Sequence, residues 1–177
     1  MKLTVEDHPY LYEDLRRHEI IDGDHFVQHA PSPRHQLIIG NLLGMTRALP
    51  GQTFTYVGVV MSEFDFVLPD FLYITPARCD SILEDKYVRC APDLVAEVVM
   101  EETRRTDEII KRKAYERCGV MEYWVVDPVV ETIKIFRNVH GVYRRMSEMT
   151  TETGGVISSP LFADVTLDIA DIFDTPH

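Results

Sequence analysis

The segment from Pro92 to Met100, PDLVAEVVM, constrains the fold of this chain more than any other. Its apolar residues occupy both odd and even positions, so both sides of a strand built from them need a covering layer. This pattern is typical of a central strand in a sheet. Glu97 breaks the pattern, because an ionised carboxylate buried without a partner costs several kcal/mol. We therefore expect a positive group beside Glu97, either in a functional site or in a structural salt bridge.

The other segments alternate between helical and extended patterns. Asp22-Gly23 predicts a hairpin, because both central residues of a type I′ turn need a positive φ. Ser32 and Pro33 predict the start of a helix, and Pro50-Gly51 predicts its end. The predicted helices cover residues 9–17, 35–49 and 106–118, and the predicted extended segments cover residues 18–27, 53–74, 92–100, 122–126 and 132–137. This order predicts an α/β or mixed α+β fold with a central mixed sheet flanked by helices.

The helix predicted over residues 106–118 carries charged residues on its apolar side. A helical wheel at about 100° per residue places Asp107 and Lys111 inside the apolar sector of this helix. Lys111 is therefore expected to face the sheet that carries Glu97. The alternative is a surface Asp107–Lys111 pair whose lysine extends to water, which contributes only about 0.3–0.5 kcal/mol. The pattern leaves both possibilities open.

The pattern also predicts the positions of three further acids and one histidine. Asp70 interrupts an apolar series of one parity and follows Pro69, which predicts a bulge, a sheet edge or a simple strand end. Glu19 begins the hairpin, where a carboxylate is usually exposed. Asp93 shares the parity of Glu97 and is expected near the wet end of the strand. His35 is interpreted as a surface histidine of the first helical turn.

Composition and charge limit the classes of function. The chain has 177 residues, which predicts a single domain, with a helix and hairpin at about 9–29, a core at about 30–140 and an acidic tail at about 146–177 that is irregular after Gly154-Gly155. Its net charge is 18 − 29 = −11, which disfavours a protein that coats nucleic acid. Residues 101–117 nevertheless hold six basic and five acidic side chains. Arg104, Arg105, Arg112, Lys113 and Arg117 are the candidates for a local basic rim.

Cysteine usage and hydropathy indicate the compartment. Three cysteines without a Cys-x-x-Cys pair predict a reducing environment. The first fifteen residues contain acids where a signal peptide needs an apolar stretch, and no apolar run is long enough to span a membrane. We therefore expect a cytoplasmic protein without a membrane partner. The histidines and cysteines have no zinc-ligand spacing, and the sequence has neither a phosphate-binding glycine loop nor a Gly-x-Ser-x-Gly motif.

Carboxylates on adjacent strands with a lysine nearby indicate one kind of chemistry. Mg²⁺ and Mn²⁺ bind through one or two carboxylates and water, and a lysine can orient or help to deprotonate the attacking water and offset phosphate charge. This combination favours metal-dependent hydrolysis of phosphodiester bonds.

The same residues resemble a known family. The strings PDLVAEVV at residues 92–99 and GVMEYWVVDP at residues 119–128, with Asp107, Lys111 and Tyr115 between them, are similar to the Uma-type restriction endonucleases of the PD-(D/E)XK nuclease superfamily. HEIIDG at 18–23, PSPRHQ at 31–36 and LPDFLYI at 68–74 also fit that family. The resemblance covers roughly residues 10–175.

The resemblance implies a restriction-endonuclease-like fold and a set of site residues. Asp70 would be the motif aspartate and Glu97 the motif acid, both binding Mg²⁺ or Mn²⁺. The superfamily places a lysine two residues after the acid, where this chain has Val99, so Lys111 would take its place. Glu19 would be an added acidic site residue. DNA would be the substrate.

One departure from the family leaves rival functions open. Met100-Glu101-Glu102 replaces a polar turn that is commonly Ser-Pro-Ser, and the two acids would repel a phosphate backbone. A non-catalytic scaffold that binds protein partners, and a hydrolase of a small phosphorylated substrate, are therefore the alternatives. A homodimer is expected only from the common habit of soluble proteins.

Overall fold

The structure, a computed structural model, describes residues 2–7, 16–28 and 30–175. Within these ranges the strands are β1 (Arg17–Ile21), β2 (Asp24–Gln28), β3 (Gln52–Phe54), β4 (Val59–Ser62), β5 (Asp65–Val67), β6 (Phe71–Ile74), β7 (Val88–Arg89), β8 (Leu94–Val98), β9 (Glu122–Asp127), β10 (Thr132–Val139), β11 (Val142–Thr150), β12 (Val156–Ser158) and β13 (Thr166–Asp168). The helices are α1 (Pro33–Thr46), α2 (Pro76–Ile82), α3 (Arg112–Cys118) and α4 (Ile169–Phe173), with a π-helical segment at Thr106–Lys111 and 3₁₀ turns at residues 5–7 and Pro160–Phe162.

The larger sheet places β8 in its interior, in the order β11-β10-β9-β8-β6-β3. β8 runs parallel to β9 and antiparallel to β6, and all of its residues are buried. Its even-numbered residues pack with α1 and the chain end, whereas Val95 packs with Ala114 and Tyr115 on the other face. Glu97 has the parity of Val95 and therefore faces the helical segment 106–118. The predicted mixed α/β fold with a central strand covered on both faces is confirmed.

The first hairpin belongs to a second sheet, in the order β2-β1-β5-β4-β7. Its turn has φ values of 51° at Asp22 and 76° at Gly23, which confirms the predicted hairpin. Ile21 joins the core beneath the helical segment 106–118, and Ile20 packs on the opposite side. Glu19 alternates with Ile20 and therefore lies on the same side as Ile21, facing that segment.

The helix predicted over residues 106–118 forms in two parts. Thr106–Lys111 is π-helical and Arg112–Cys118 is α-helical, so a uniform α-helix was wrong for the first part. A wider π-helical turn still keeps residues four apart on one face, and both Asp107 and Lys111 are buried. Gly119, with a φ of 87°, ends the helix as predicted.

The first long helix begins as Ser32 and Pro33 predicted and ends earlier than predicted. α1 starts at Pro33, and Ser32 Oγ accepts a hydrogen bond of 3.2 Å from the backbone N of His35. It ends at Thr46 rather than at residue 49. The predicted helix over residues 9–17 lies mostly outside the described residues, and Arg17 at its expected end begins β1.

The acidic tail is more ordered than its composition indicated. β11 runs from Val142 to Thr150 beside β10, where no strand was predicted. After Gly155, β12 and β13 pair and α4 follows. The tail residues Ile157, Phe162, Leu167, Ile169, Ile172 and Phe173 belong to the core packed against α1. The sequence predicted an irregular segment after Gly154-Gly155 with a short terminal element. The short terminal element is α4, but the irregular segment was wrong, because β12 and β13 pair and the acids lie between buried apolar residues.

Among the described residues, no helix is both long enough and apolar enough to cross a membrane. Three expectations stay predictions: the single domain with its stated segments, the homodimer and the cytoplasmic location.

Candidate active site

A small cavity lies between the first hairpin, the start of α1 and the carboxyl end of β8. Its accessible volume is about 10 Å³, which is close to the space that one water molecule needs. The lining residues are Arg17, Gln28, Pro31, His35, Asp70, Glu97, Val98, Met100, Thr103 and Asp107. Two of the predicted site residues, Asp70 and Glu97, therefore face one cavity.

Adjacent strands bring Asp70 and Glu97 together. Asp70 directly precedes β6, and the next residue, Phe71, is paired with Ala96 of β8. The backbone N of Asp70 lies 3.4 Å from Glu97 Oε2. Asp70 is 5% exposed and Glu97 is 1% exposed. The sheet register thus places two buried carboxylates side by side.

Each of these carboxylates has one oxygen held by strong donors. Asp70 Oδ2 accepts hydrogen bonds from the backbone N of Val98 at 2.9 Å and from His35 Nε2 at 3.0 Å. Glu97 Oε1 accepts from Lys111 Nζ at 3.1 Å and from the Tyr115 hydroxyl at 2.6 Å. Within residues 2–7, 16–28 and 30–175, Asp70 Oδ1 accepts no hydrogen bond and Glu97 Oε2 accepts only the long one from Asp70. These two oxygens keep free lone pairs for a ligand.

Lys111 lies behind the carboxylates rather than in the cavity. Its Nζ lies 3.0 Å from Glu19 Oε1, 3.1 Å from Glu97 Oε1 and 3.7 Å from Asp107 Oδ1, and the residue is fully buried. The Lys111 ammonium therefore donates to Glu97 and also forms ion pairs with Glu19 and Asp107. Lys111 is the positive group that the sequence required beside Glu97, and it does not extend to water.

Glu19 is buried, contrary to the expectation for a strand end. Its Oε1 accepts from the backbone N of Leu68 at 2.8 Å, and its Oε2 accepts from Gln28 Nε2 at 2.8 Å. Glu19 does not line the cavity, but it shares Lys111 with Glu97. The structure thus brings all four predicted site residues into one connected cluster.

Comparisons with known proteins give the family and the fold of this chain. The sequence model of the family described as "Uma2: Putative restriction endonuclease" matches residues 5–170. The chain belongs to the Uma2 family. The fold is also similar to a crystal structure described as "a putative nuclease belonging to DUF820" from Anabaena variabilis ATCC 29413, with a TM-score of 0.70, 19% identity and 97% of both chains covered. At this identity the similarity establishes a shared fold. A search of curated proteins found no match.

Sequence reasoning missed His35 as part of the site of this Uma2 chain. His35 is 2% exposed, not a surface residue, and its Nε2 lies 3.0 Å from Asp70 Oδ2. The signal was available, because His35 precedes Ile38 by three residues and therefore lies in the apolar stripe of α1. Tyr115 and Asp107 were present in the family pattern but were not assigned to the site. Both are buried, and Asp107 lines the cavity.

Asp93 takes a structural position away from the cavity. It is 1% exposed, and its carboxylate accepts hydrogen bonds from the backbone N and hydroxyl of Thr75 and from Arg78. These contacts fix the start of α2. The expectation that Asp93 lies at a wet strand end was therefore wrong.

The predicted basic rim does not line the cavity of the Uma2 site. Arg104 pairs with Asp127 at 2.6 Å, Arg117 pairs with Asp65 at 2.8 Å, and Arg112 lies over the Phe136 ring. Among the described residues that line the cavity, Arg17 is the one arginine or lysine. The 101–117 segment therefore supplies no arginine or lysine to the described lining of the cavity.

The cluster carries more negative than positive charge. Burial raises the pKa of Glu97 well above its usual value, and the nearby acids Asp70, Asp107 and Glu19 add to this against the opposing effect of Lys111. Burial alone would lower the pKa of Lys111, but the carboxylates of Glu19 and Glu97 outweigh it and raise that pKa. Lys111 therefore stays charged, and Glu97 holds a proton more readily than an exposed glutamate.

A divalent cation is chemically compatible with these residues. Asp70 Oδ1 and Glu97 Oε2 are hard oxygen donors with free lone pairs, and the surplus negative charge favours a cation. No group of three or more His, Cys, Asp or Glu side chains in the described ranges is arranged to hold a metal ion. Mg²⁺ often binds through one or two carboxylates and several waters. The donor set fits that kind of ion and not a cation enclosed by protein ligands alone.

Asp107 makes stability depend on pH. Burial raises its pKa from 3.8 to about 6, against the opposing effects of Lys111 and Thr103. Because the folded pKa exceeds the unfolded one, the native state binds more protons between these values, and stability falls as pH rises through this window. Between pH 5 and pH 7.5 the unfolding free energy of the wild type should fall by about 1 kcal/mol more than that of Asp107→Asn. Urea denaturation at both pH values measures this difference.

The neighbouring Glu108→Gln is the control for this pH effect. Glu108 is half-buried and pairs on the surface with Lys134 and Arg104. Its substitution should leave the pH dependence of the wild type unchanged. An Asp107→Asn protein with the same pH dependence as the wild type would contradict the raised pKa.

Proposed function

We propose that this Uma2 chain hydrolyses phosphodiester bonds of DNA with Mg²⁺ or Mn²⁺ held by Asp70 and Glu97. The observation that carries the proposal is the pair of free oxygens, Asp70 Oδ1 and Glu97 Oε2, on two carboxylates that line the same cavity. When bound, such a cation supplies Lewis acidity and makes its water more acidic. The family description, a restriction endonuclease, supports the same reaction.

The other buried residues hold the two carboxylates in place. His35 donates from Nε2 to Asp70 Oδ2, which leaves Nδ1 as the acceptor for the Tyr56 hydroxyl at 3.4 Å. Tyr115 donates to Glu97 Oε1, and burial raises the pKa of this tyrosine well above its usual value, so its hydroxyl keeps the proton. These contacts fix the carboxylate rotamers before a cation or substrate arrives.

Lys111 is better suited to offset charge than to act as a base. It forms ion pairs with three carboxylates, and its pKa is raised above the usual value. A general base needs a pKa near the working pH. We therefore assign Lys111 the role of orienting Glu97 and reducing the repulsion between this acidic cluster and a phosphate.

One observation favours a smaller substrate as the second candidate. The cavity is small, its one arginine or lysine is Arg17, and the turn after β8 carries the exposed acids Glu101 and Glu102. A short phosphorylated compound would make fewer contacts with the acidic surface than a DNA duplex would.

The test of the proposed function combines metal binding and cleavage. The wild type should bind Mn²⁺ in calorimetry and cut plasmid DNA with Mg²⁺ or Mn²⁺ but not with EDTA. Asp70→Asn should weaken Mn²⁺ binding and reduce cleavage by about 10²-fold or more, because it replaces one of two charged ligands. The exposed Asp80→Asn, in α2, is the matched control and should behave as the wild type.

The alternatives predict different results. Equal Mn²⁺ binding and cleavage by the wild type and Asp70→Asn would reject the site. Cleavage of a dinucleotide but not of plasmid DNA would favour the small substrate. If the wild type neither binds Mn²⁺ nor cleaves either substrate, the result would favour a scaffold protein.

A further inference from the structure

Arg17 lies over an aromatic ring at the cavity instead of pairing with an acid. Its guanidinium carbon lies 3.4 Å from the centre of the Tyr56 ring, and the residue is half-buried at the cavity. The half-buried Arg34, Arg78, Arg104 and Arg137 each form an ion pair with an acid, whereas Arg17 and Arg112 each lie over an aromatic ring. In the part of the chain that the structure describes, no carboxylate lies within 4.0 Å of the Arg17 guanidinium. Arg17 therefore retains the capacity to bind an anion.

The hairpin aligns Arg17 with the acidic cluster. Arg17 and Glu19 are two residues apart on β1, so their side chains lie on one face of the strand. Arg17 is paired with Gln28 on β2, and Gln28 donates to Glu19. Arg17 thus borders the cavity at the strand end, while Glu19 lies deeper beside Lys111.

Tyr56 is held beneath Arg17 in an unfavourable backbone conformation. Its φ is 56°, a left-handed value that is uncommon for an aromatic residue. Its backbone N donates to Pro69 O at 3.0 Å, next to Asp70, and its hydroxyl accepts from Gln36 Nε2 at 2.6 Å. Strained residues of this kind cluster at functional sites. The strain at Tyr56 is the second observation that marks this corner of the cavity.

We propose that Arg17, stacked on Tyr56, is the phosphate-binding site of this protein. The ligand is a phosphodiester group of the nucleic acid, whose non-bridging oxygens match the planar N–H fork of a guanidinium. This inference rests on the proposed function and names the group that brings the substrate phosphate to an acidic cavity. The stacked ring limits the motion of Arg17, so fewer conformations are lost when the phosphate binds.

The experiment measures DNA binding and metal binding on the same variants. Fluorescence anisotropy with a short labelled duplex, without added metal, gives the dissociation constant, and steady-state cleavage with Mn²⁺ gives KM and kcat. We expect Arg17→Gln to raise the dissociation constant and KM by about 10-fold or more, and Arg17→Lys to raise them less. Tyr56→Leu, which removes the stacked ring, should lose part of the DNA affinity. The exposed Arg47→Gln, after α1, is the control and should bind as the wild type.

Mn²⁺ calorimetry separates phosphate binding from an indirect effect on Asp70. Tyr56 contacts His35, which holds Asp70, so a structural effect of Arg17→Gln would also weaken Mn²⁺ binding. Unchanged Mn²⁺ affinity with weaker DNA binding is the expected result. A parallel loss of both affinities would overturn the phosphate site.

The outcomes also distinguish this inference from the proposed function. If Asp70→Asn loses cleavage while Arg17→Gln keeps wild-type KM and DNA affinity, the phosphate site is rejected and the nuclease stands. If DNA binding depends on Arg17 but no metal-dependent cleavage occurs, the phosphate site stands and the nuclease is rejected. A wild type without measurable duplex affinity would also overturn the phosphate site.

Discussion

Replacement of Lys111 by methionine is expected to lower the unfolding free energy by about 3–5 kcal/mol at pH 7.5. Methionine fills a similar volume, but it leaves the carboxylates of Glu19, Glu97 and Asp107 without the ammonium that lies within 3.7 Å of all three. These acids are each at most 4% exposed, so water cannot replace the lost partner. Chemical denaturation of the metal-free protein measures the effect.

Two comparisons make this prediction specific. Lys134→Met removes a lysine from a half-exposed pair with Glu108 and should cost less than about 1 kcal/mol. Adding Glu19→Gln to Lys111→Met should restore part of the stability, because one of the unpaired charges is gone. The defect should also shrink at pH 5, where the remaining acids take up protons more easily. A Lys111→Met protein as stable as Lys134→Met would contradict the buried ion cluster.

Two local patterns in the sequence favoured a buried position for this lysine, although they also left a surface Asp107–Lys111 pair open. The apolar residues on both faces of 92–100 required a partner for Glu97, and the spacing of Asp107 and Lys111 placed both on the buried side of the next helix. The π-helical geometry was not foreseen, yet residues four apart stay on one face in either kind of helix. The prediction therefore did not depend on the detail that was wrong.

Residues whose positions depend on contacts distant in sequence were harder to predict. Glu19 is buried because β1 pairs with β5 and its carboxylate accepts from Leu68, nearly fifty residues along the chain. His35 becomes part of the site only when α1 packs beside Asp70. The role of Arg17 depends on Tyr56, which no periodicity connects to β1. Such juxtapositions follow from the tertiary fold and leave no local signal.

The C-terminal segment shows the opposite limitation. Six acids and no lysine or arginine after residue 145 indicated a solvated tail. Its apolar residues, such as Ile169 and Phe173, nevertheless bury against α1, because their acidic neighbours lie on the outer side. Charge composition averages over both sides of an element and so hides a buried stripe. β11 was missed for a related reason, since most of its side chains are polar and none of its residues is fully buried.

Glu97→Gln is expected to separate stability from activity. The substitution keeps the size of the side chain and an oxygen that can accept from Lys111 and Tyr115. It removes a carboxyl group whose pKa is already raised well above the usual value by burial. The metal-free variant should therefore be at least as stable as the wild type at pH 7.5, whereas a residue retained only for packing or for a salt bridge would lose stability on this change.

Activity should respond in the opposite direction. Glutamine offers a neutral, weaker ligand in place of Glu97 Oε2, so Mn²⁺ affinity should fall and DNA cleavage should decrease by about 10³-fold or more. Denaturation, calorimetry and plasmid cleavage on one preparation test both parts, with the surface Glu108→Gln as the matched control. If Glu97→Gln loses stability but cleaves DNA as the wild type does, Glu97 is a structural residue. Full stability with lost cleavage would mean that the buried charge is retained for chemistry, because the fold itself is no less stable without it.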